Sequence, residues 1–314
     1  MQVKKIKIGS VELPNNVFFA PLAGFSDFAM RDICALAGAG LCFTDMVSCK
    51  GLKYTPEASN ELLYPSVSEK VKAAQIFGSD EVIMGEIAKS HYLKDYDIID
   101  INMGCPVPKI YSNGEGSALL NDLSQASKII SAVKKSGKPV SVKFRIGLTE
   151  NNFVTRDFAK MCEDSGADLI TVHGRVRTAY YQGEVNYNEI ALAKNAVSIP
   201  VIANGGIFCR EDAKTLMERT GCDGVMVARG ALENPLIFEE ILGVSCGYTL
   251  KDLISRQIDL LAERFGESRS AVVFRKQAAH YLKGVSGGKK LKEKIFASLD
   301  IKEIKNILLS CESL

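Results

Sequence analysis

The sequence predicts a TIM-type (β/α)8 barrel followed by a small C-terminal α-helical domain. Two observations point to the barrel: eight short apolar runs alternate with amphipathic stretches over about 230 residues, and polar residues and glycines gather where those runs end. A third points to the appendage, because the strand-like runs stop after about residue 243. Strand and helix alternating eight times suit a closed barrel better than an open sheet.

The runs are VFFA (17–20), LCFTDM (41–46), VKAAQIF (71–77), IIDINM (98–103), PVSVKF (139–144), DLITV (168–172), PVIA (200–203) and DGVMVA (223–228). Each is too short for a helix and most are rich in β-branched residues, as expected of strands buried on both faces. The stretches DEVIMGEIAKSHYL, LSQASKIISAVKKSG, TRDFAKMCEDSG and CREDAKTLMERTG lie between them, with apolar residues at helical spacing and glycine near several ends. The link between the second and third strands, KYTPEASNELLYPSVSEK, holds two prolines and is expected to be irregular. LKDLISRQIDLLAERFG, SAVVFRKQAAHYLKGV and LKEKIFASLDIKEIKNILL then read as amphipathic helices. The turn-rich GVSCGYT precedes Thr249, a plausible cap, so the division falls at 1–243 and 244–314.

Composition narrows the class. The chain has 314 residues, 46% hydrophobic and 24% charged, the balance of a folded globular protein. No apolar run approaches the roughly 20 residues that span a bilayer, and MQVKKIKIGS lacks a secretory core, so a cytoplasmic protein without a membrane partner is expected. The nine cysteines are odd in number and contain no CxxC pair, which supports neither a disulfide framework nor a metal site. Residues 244–314 carry 13 Lys and Arg against 8 Asp and Glu, a balance of +5, and the remaining 26 basic and 29 acidic groups leave −3 for residues 1–243. A basic tail suggests a polyanionic partner, although a solvated lysine-rich helical surface is the plain alternative.

Barrel chemistry collects at the C-terminal ends of the strands. There the sequence places Ala20, Pro21 and Leu22 after the first strand, Gln75 on the third, Asn102 and Cys105 on the fourth, and Lys143 and Arg145 on the fifth. His173 and Arg175 follow the sixth, Asn204, Gly205 and Gly206 the seventh, and Ala228 and Arg229 the eighth. Glycine-containing turns after the last two strands are where a barrel offers backbone N–H groups to phosphate, and Arg229 could add a charged contact. Lys143 in mid-strand needs an anion, either a flavin or an internal partner such as Asp100. Cys105 lies between Gly104 and Pro106 just past a strand, where an ordinary thiol keeps its proton at neutral pH and can serve as an acid, or is simply structural. The Asn113-Gly114 and Gly116 positions beyond it suit a mobile loop.

Together APLAG, AAQIFGSD, DINMGCPVPK, VKFRIG, TVHGRVRTAYYQG, ANGGIF and VARGALENPLIF, in that order, resemble the tRNA-dihydrouridine synthases over about residues 14–240, with FRKQAAHYLKG a looser match. The resemblance implies FMN at the barrel mouth, NADPH or NADH as reductant, and reduction of the C5–C6 double bond of a uridine in tRNA. It implies that Ala20, Pro21, Leu22, Gln75, Lys143 and His173 surround the flavin, and that Asn204, Gly205, Gly206, Ala228 and Arg229 hold its ribityl phosphate end. It makes Cys105 the proton donor to C5, with flavin N5 delivering hydride to C6, and puts Asn102, Lys109, Arg145 and Arg175 on the nucleotide side. The chain departs from the family pattern at Leu22, where Met is usual, at Gly206, where Asp is usual, and around the Asn-Pro of GALENPLIF.

A base stacked inside folded RNA must be drawn out before it can react, and a basic helical domain beside the mouth could grip the surrounding phosphates. Arg275, Lys276, Lys283, Lys289 and Lys290 are the candidates, and a monomer is expected. The competing readings are an FMN-dependent reductase of free pyrimidines and a non-catalytic RNA-binding module.

Overall fold

A computed structural model describes residues 2–314. Eight parallel strand positions form the barrel, in the order of the sequence: Val17–Phe19, Leu41–Cys42 with Val47–Ser48, Ala73–Phe77, Ile98–Met103, Val140–Arg145, Leu169–His173, Val201–Asn204 and Gly224–Val227. The second position is interrupted. Leu41 pairs with Phe18 of the first strand, Phe43 bridges to Ala73, and Val47 pairs with Ile76 of the third, so this single segment joins the two ends of the sheet. The eighth strand pairs with the first, Met226 opposite Phe18, which completes the ring.

The strands are apolar on both faces because both are covered. Phe18, Leu41, Phe43, Ala73, Ile98, Leu169, Ile202 and Met226 fill the lower interior of the barrel. Their neighbours Phe19, Ala74, Ile99, Val142, Ile170 and Val225 point outward against the helices. The period of two then carries the inward face upward from apolar to polar: Ile98, Asp100 and Asn102 on one strand, Ser141, Lys143 and Arg145 on the next. The polar layer therefore stands at the C-terminal end.

A feature not expected from the sequence is an antiparallel hairpin of Ile6–Ile8 and Val11–Leu13 below the barrel. Ile6, Ile8 and Leu13 join the lower interior cluster and fill the floor. The alternation in KIKIGSVEL and a two-residue turn with Gly9 at φ +55° are its signal.

The amphipathic stretches form helices at Glu81–Ala88, Leu123–Lys134, Thr155–Asp164 and Arg210–Thr220, the first three beginning close to where their side-chain pattern starts. Asp80 and Asp122 cap the first two by accepting backbone N–H bonds. The proline-rich link is two short helices, Cys49–Tyr54 and Pro56–Glu61, then an irregular run to the third strand. That run is held by Arg31, whose buried guanidinium donates to Glu69 at 3.1 Å, the Ser26 carbonyl at 2.8 Å and the Tyr64 carbonyl at 2.7 Å.

Beyond the last barrel helix, Ile237–Leu242, four helices follow: Leu250–Phe265, Glu267–Tyr281, Gly288–Ala297 and Ile301–Leu309. Thr249 caps the first in a reciprocal box with Asp252. The third tail segment is two helices rather than one, broken where Asp300 caps the last. These helices bury their own cluster, including Ile258, Leu261, Phe274, Ile295 and Ile304, which Phe28 and Ala29 of helix Phe28–Leu36 also enter. No described helix is long and apolar enough to cross a membrane.

Candidate active-site cleft

An open cleft at the C-terminal end of the barrel is lined by Ala20, Pro21 and Leu22, by Asn102 and Cys105, by Lys143 and Arg145, by His173 and Arg175, by Asn204, Gly205 and Gly206, and by Ala228 and Arg229. Six strand ends thus converge on one space. Gln75 and Lys109 are not on its wall: Gln75 is buried one layer down, and Lys109 is exposed on the short helix Pro108–Ser112.

A hydrogen-bonded chain rises from the interior to Cys105. Asp100 accepts from Ser141 Oγ at 2.5 Å and from Gln75 Nε2 at 2.6 Å. Gln75 Oε1 accepts from Asn102 Nδ2 at 2.8 Å, and Asn102 Oδ1 accepts the backbone N–H groups of Gly104 at 3.1 Å and Cys105 at 2.9 Å. A carboxylate only accepts, so Asp100 dictates which way both amides face. Burial pushes its own carboxyl up to about 6, opposed by the Gln75 and Ser141 bonds. The Cys105 thiol, 8% exposed, is also pushed up by burial and stays protonated at neutral pH.

Lys143 makes no ion pair with Asp100 and instead donates to Asn204 Oδ1 at 3.1 Å. Asn204 is oriented in turn by its Nδ2 bond to the Met226 carbonyl at 2.8 Å. Burial, with nearby Arg145, brings the Lys143 ammonium down to about 8. His173 is driven well below its usual range by burial and then by the cations Arg145, Lys143, Arg175 and Arg229, so its imidazole is neutral.

Arg145 and Arg175 also organise the cleft's rim. Arg145 donates to the carbonyls of Gly104, Val176 and Tyr180, and burial lowers it to about 10. Arg175 donates to the Gln182 and Gly183 carbonyls and stands 3.5 Å from His173 Nε2. Tyr180 has φ +49°, the one positive value at a non-glycine among the described residues, and its carbonyl is the one Arg145 holds at 2.8 Å. On the opposite rim, Asp45 holds the loop carrying Pro21 and Leu22, accepting from the Gly24 N–H at 3.1 Å and Ser26 Oγ at 2.8 Å.

Lys143, Arg145, Arg175 and Arg229 all line the cleft, no carboxylate lines it with them, and none of the four forms an ion pair among the described residues. Four uncompensated cations in one partly desolvated space favour an anionic occupant. Gly205 has φ +127°, where a Cβ would lie 3.1 Å from His173, so this turn requires glycine. Gly206, at φ +73°, is in the left-handed region that glycine adopts without backbone strain.

The basic candidates of the tail separate. Lys276 Nζ lies 5.1 Å from the ring centre of Phe25 beside the first loop, and Lys283 pairs with Glu233 at 2.6 Å. Lys289 and Lys290 are exposed on helix Gly288–Ala297. Arg275 turns inward and donates to the Ser298 carbonyl, joining two tail helices. Sequence reasoning missed Tyr180, Tyr181, Phe208 and Met46 in the wall. The aromatic residues in the loops after the sixth and seventh strands were the available signal.

Comparison with known proteins follows the same outline. A family model described as Dihydrouridine synthase (Dus) matches residues 18–312. A tRNA-dihydrouridine synthase B of Pasteurella multocida is 34% identical over 313 residues, covering 95% of this chain and 93% of that protein. One of Vibrio cholerae is 36% identical over 288 residues, covering 88% and 89%. Among solved structures, histamine dehydrogenase from Rhizobium sp. 4-9 superposes with a TM-score of 0.59 at 14% identity, over 82% of this chain and 50% of that one. A morphinone reductase in complex with tetrahydroNAD gives 0.56 at 13% identity, over 77% and 90%. At such identity the structural likeness speaks for the barrel alone.

Proposed function

Because the chain belongs to the dihydrouridine synthase family, we propose that it is an oxidoreductase that reduces the C5–C6 double bond of a uridine in tRNA, with FMN in the cleft and NADPH or NADH as reductant. The observation that carries this reading is the set of four cations, Lys143, Arg145, Arg175 and Arg229, lining a space without a carboxylate. An anionic cofactor and a polyanionic substrate both answer that charge.

The residues present fit a phosphorylated, planar group: a glycine turn in which a Cβ on Gly205 would come within 3.1 Å of His173, cations in the wall, and apolar Ala20, Pro21 and Leu22. FMN, when bound, supplies the hydride that adds to C6. Lys143, His173 and Gln75 are assigned to its ring region, Gln75 from the layer below, and Asn204, Gly205, Gly206, Ala228 and Arg229 to its phosphate end. Lys143 at about 8 remains mostly protonated at neutral pH, and a neighbouring anion holds it so. Cys105, with its pKa raised by burial, gives its proton to C5, while Asn102, Lys109, Arg145 and Arg175 border the nucleotide. Hydride and proton then come from separate groups to adjacent carbons.

Residues 1–243 act as the catalytic domain in this reading and residues 244–314 as the tRNA-binding domain. Lys276, Lys283, Lys289 and Lys290 face the RNA from the latter. The protein acts as a monomer in the cytoplasm, where its substrate is.

The purified protein is expected to oxidise NADPH faster with unmodified tRNA than with uracil or uridine, and equal rates would favour a small-substrate reductase. Cys105→Ala is expected to keep flavin absorbance while dihydrouridine formation falls by roughly 100-fold or more.

A further inference from the structure

Phe208 lines the cleft and is 44% exposed as a residue. It follows the Gly205-Gly206 turn, so the loop that carries it is anchored at the seventh strand. The Phe208 N–H is fixed by Asp212 at 2.8 Å, which also accepts from Cys209 at the start of helix Arg210–Thr220. The ring is therefore displayed on a fixed backbone.

Two cations from different parts of the chain flank it. The Arg229 guanidinium, from the start of the short helix Arg229–Glu233 after the eighth strand, lies 5.6 Å from the ring centre, and Lys283 Nζ, from the tail, lies 5.7 Å away. Arg229 also lies 4.9 Å from the Tyr181 ring, so it stands between two exposed aromatic side chains of the rim. The Lys283–Glu233 pair is solvent-exposed and worth little, so the ammonium can exchange Glu233 for a phosphate at small cost.

An exposed aromatic ring with the Lys283 ammonium near it matches a nucleotide in both its parts, base on the ring and phosphate on the ammonium. We propose that Phe208 is the stacking surface for a nucleobase adjacent to the uridine being reduced, with that nucleotide's phosphate gripped by Lys283. The inference rests on the RNA-reducing reading given above. It assigns this subsite to RNA rather than to the reductant. A base drawn from its stack leaves a neighbour that has lost a partner, and a ring at the mouth replaces that lost contact.

The test compares Phe208→Leu with Phe208→Tyr, which keeps the ring, using unmodified tRNA and NADPH as probes. Phe208→Leu is expected to weaken tRNA binding and raise its KM by about tenfold, within the range for one stacked base, while kcat at saturating tRNA stays the same. Flavin absorbance and the rate of reduction by NADPH are expected to stay at the wild-type level, and Phe208→Tyr to restore tRNA affinity. Unchanged tRNA affinity in Phe208→Leu overturns the proposal, and so does a raised KM for NADPH with tRNA affinity intact. Should wild-type protein itself make no dihydrouridine, the reaction reading fails instead, and the two failures are told apart by that control.

Discussion

The side-chain carbonyl of Asn102 accepts the backbone N–H of Cys105 at 2.9 Å, and Asn102 is itself held through Gln75 by the buried carboxylate of Asp100. The thiol's place on the cleft wall is thus set by a chain of bonds whose direction begins two layers below. Turning the Asn102 amide over would set an NH2 group against two backbone N–H groups, so the chain has one favoured sense.

Asn102→Ala is expected to loosen the Cys105 loop while the barrel remains folded. Peptide-resolved alkylation by iodoacetamide should show Cys105 reacting several-fold faster and exposed Cys209 reacting as before. Dihydrouridine formation should fall by tenfold or more, on the order expected when a catalytic group is misplaced by about 1 Å. A Cys105 alkylation rate equal to wild type would separate Asn102 from the loop's position.

Lys143 gives a pH signature. Its folded value of about 8 lies below its ordinary 10.5, so the unfolded chain binds the proton more readily, and the contribution of Lys143 to stability rises with pH between those two values. In flavin-free protein, Lys143→Met should therefore be more stable than wild type near pH 7, by roughly 1–3 kcal/mol, with the gap narrowing toward pH 10. Urea melts of the two proteins across that range check the sign, and a gap that widened with pH would contradict it.

The tail lysines and Arg275 should part company on substitution. Lys289→Ala with Lys290→Ala is expected to weaken tRNA binding and flatten its dependence on salt, since both are exposed, without altering the melting temperature. Arg275→Ala should instead lower thermal stability through loss of its bond to the Ser298 carbonyl, at a cost of about 1–3 kcal/mol. Filter binding at several salt concentrations and thermal melts distinguish the two classes.

The barrel was readable because each strand is covered on both sides, so runs such as IIDINM and PVSVKF stand out as unbroken apolar stretches with a polar residue turned inward. The same alternation located Lys143 and His173, and the turn after the fourth strand located Cys105. The destination of each donor was not readable. Arg145 and Arg175 spend most of their N–H groups on backbone carbonyls of a rim loop that has no periodicity in sequence, and Gln75 faces Asp100 and Asn102 rather than open space. Helical spacing likewise could not tell inward Arg275 from exposed Lys290, because both sit in lysine- and arginine-rich stretches and only the neighbouring helix decides.

The hairpin of Ile6–Ile8 and Val11–Leu13 closes the barrel's lower end with apolar side chains, which makes the cavity a blind well. In the proposed reaction, reductant and uridine would therefore both approach from the C-terminal end of the barrel.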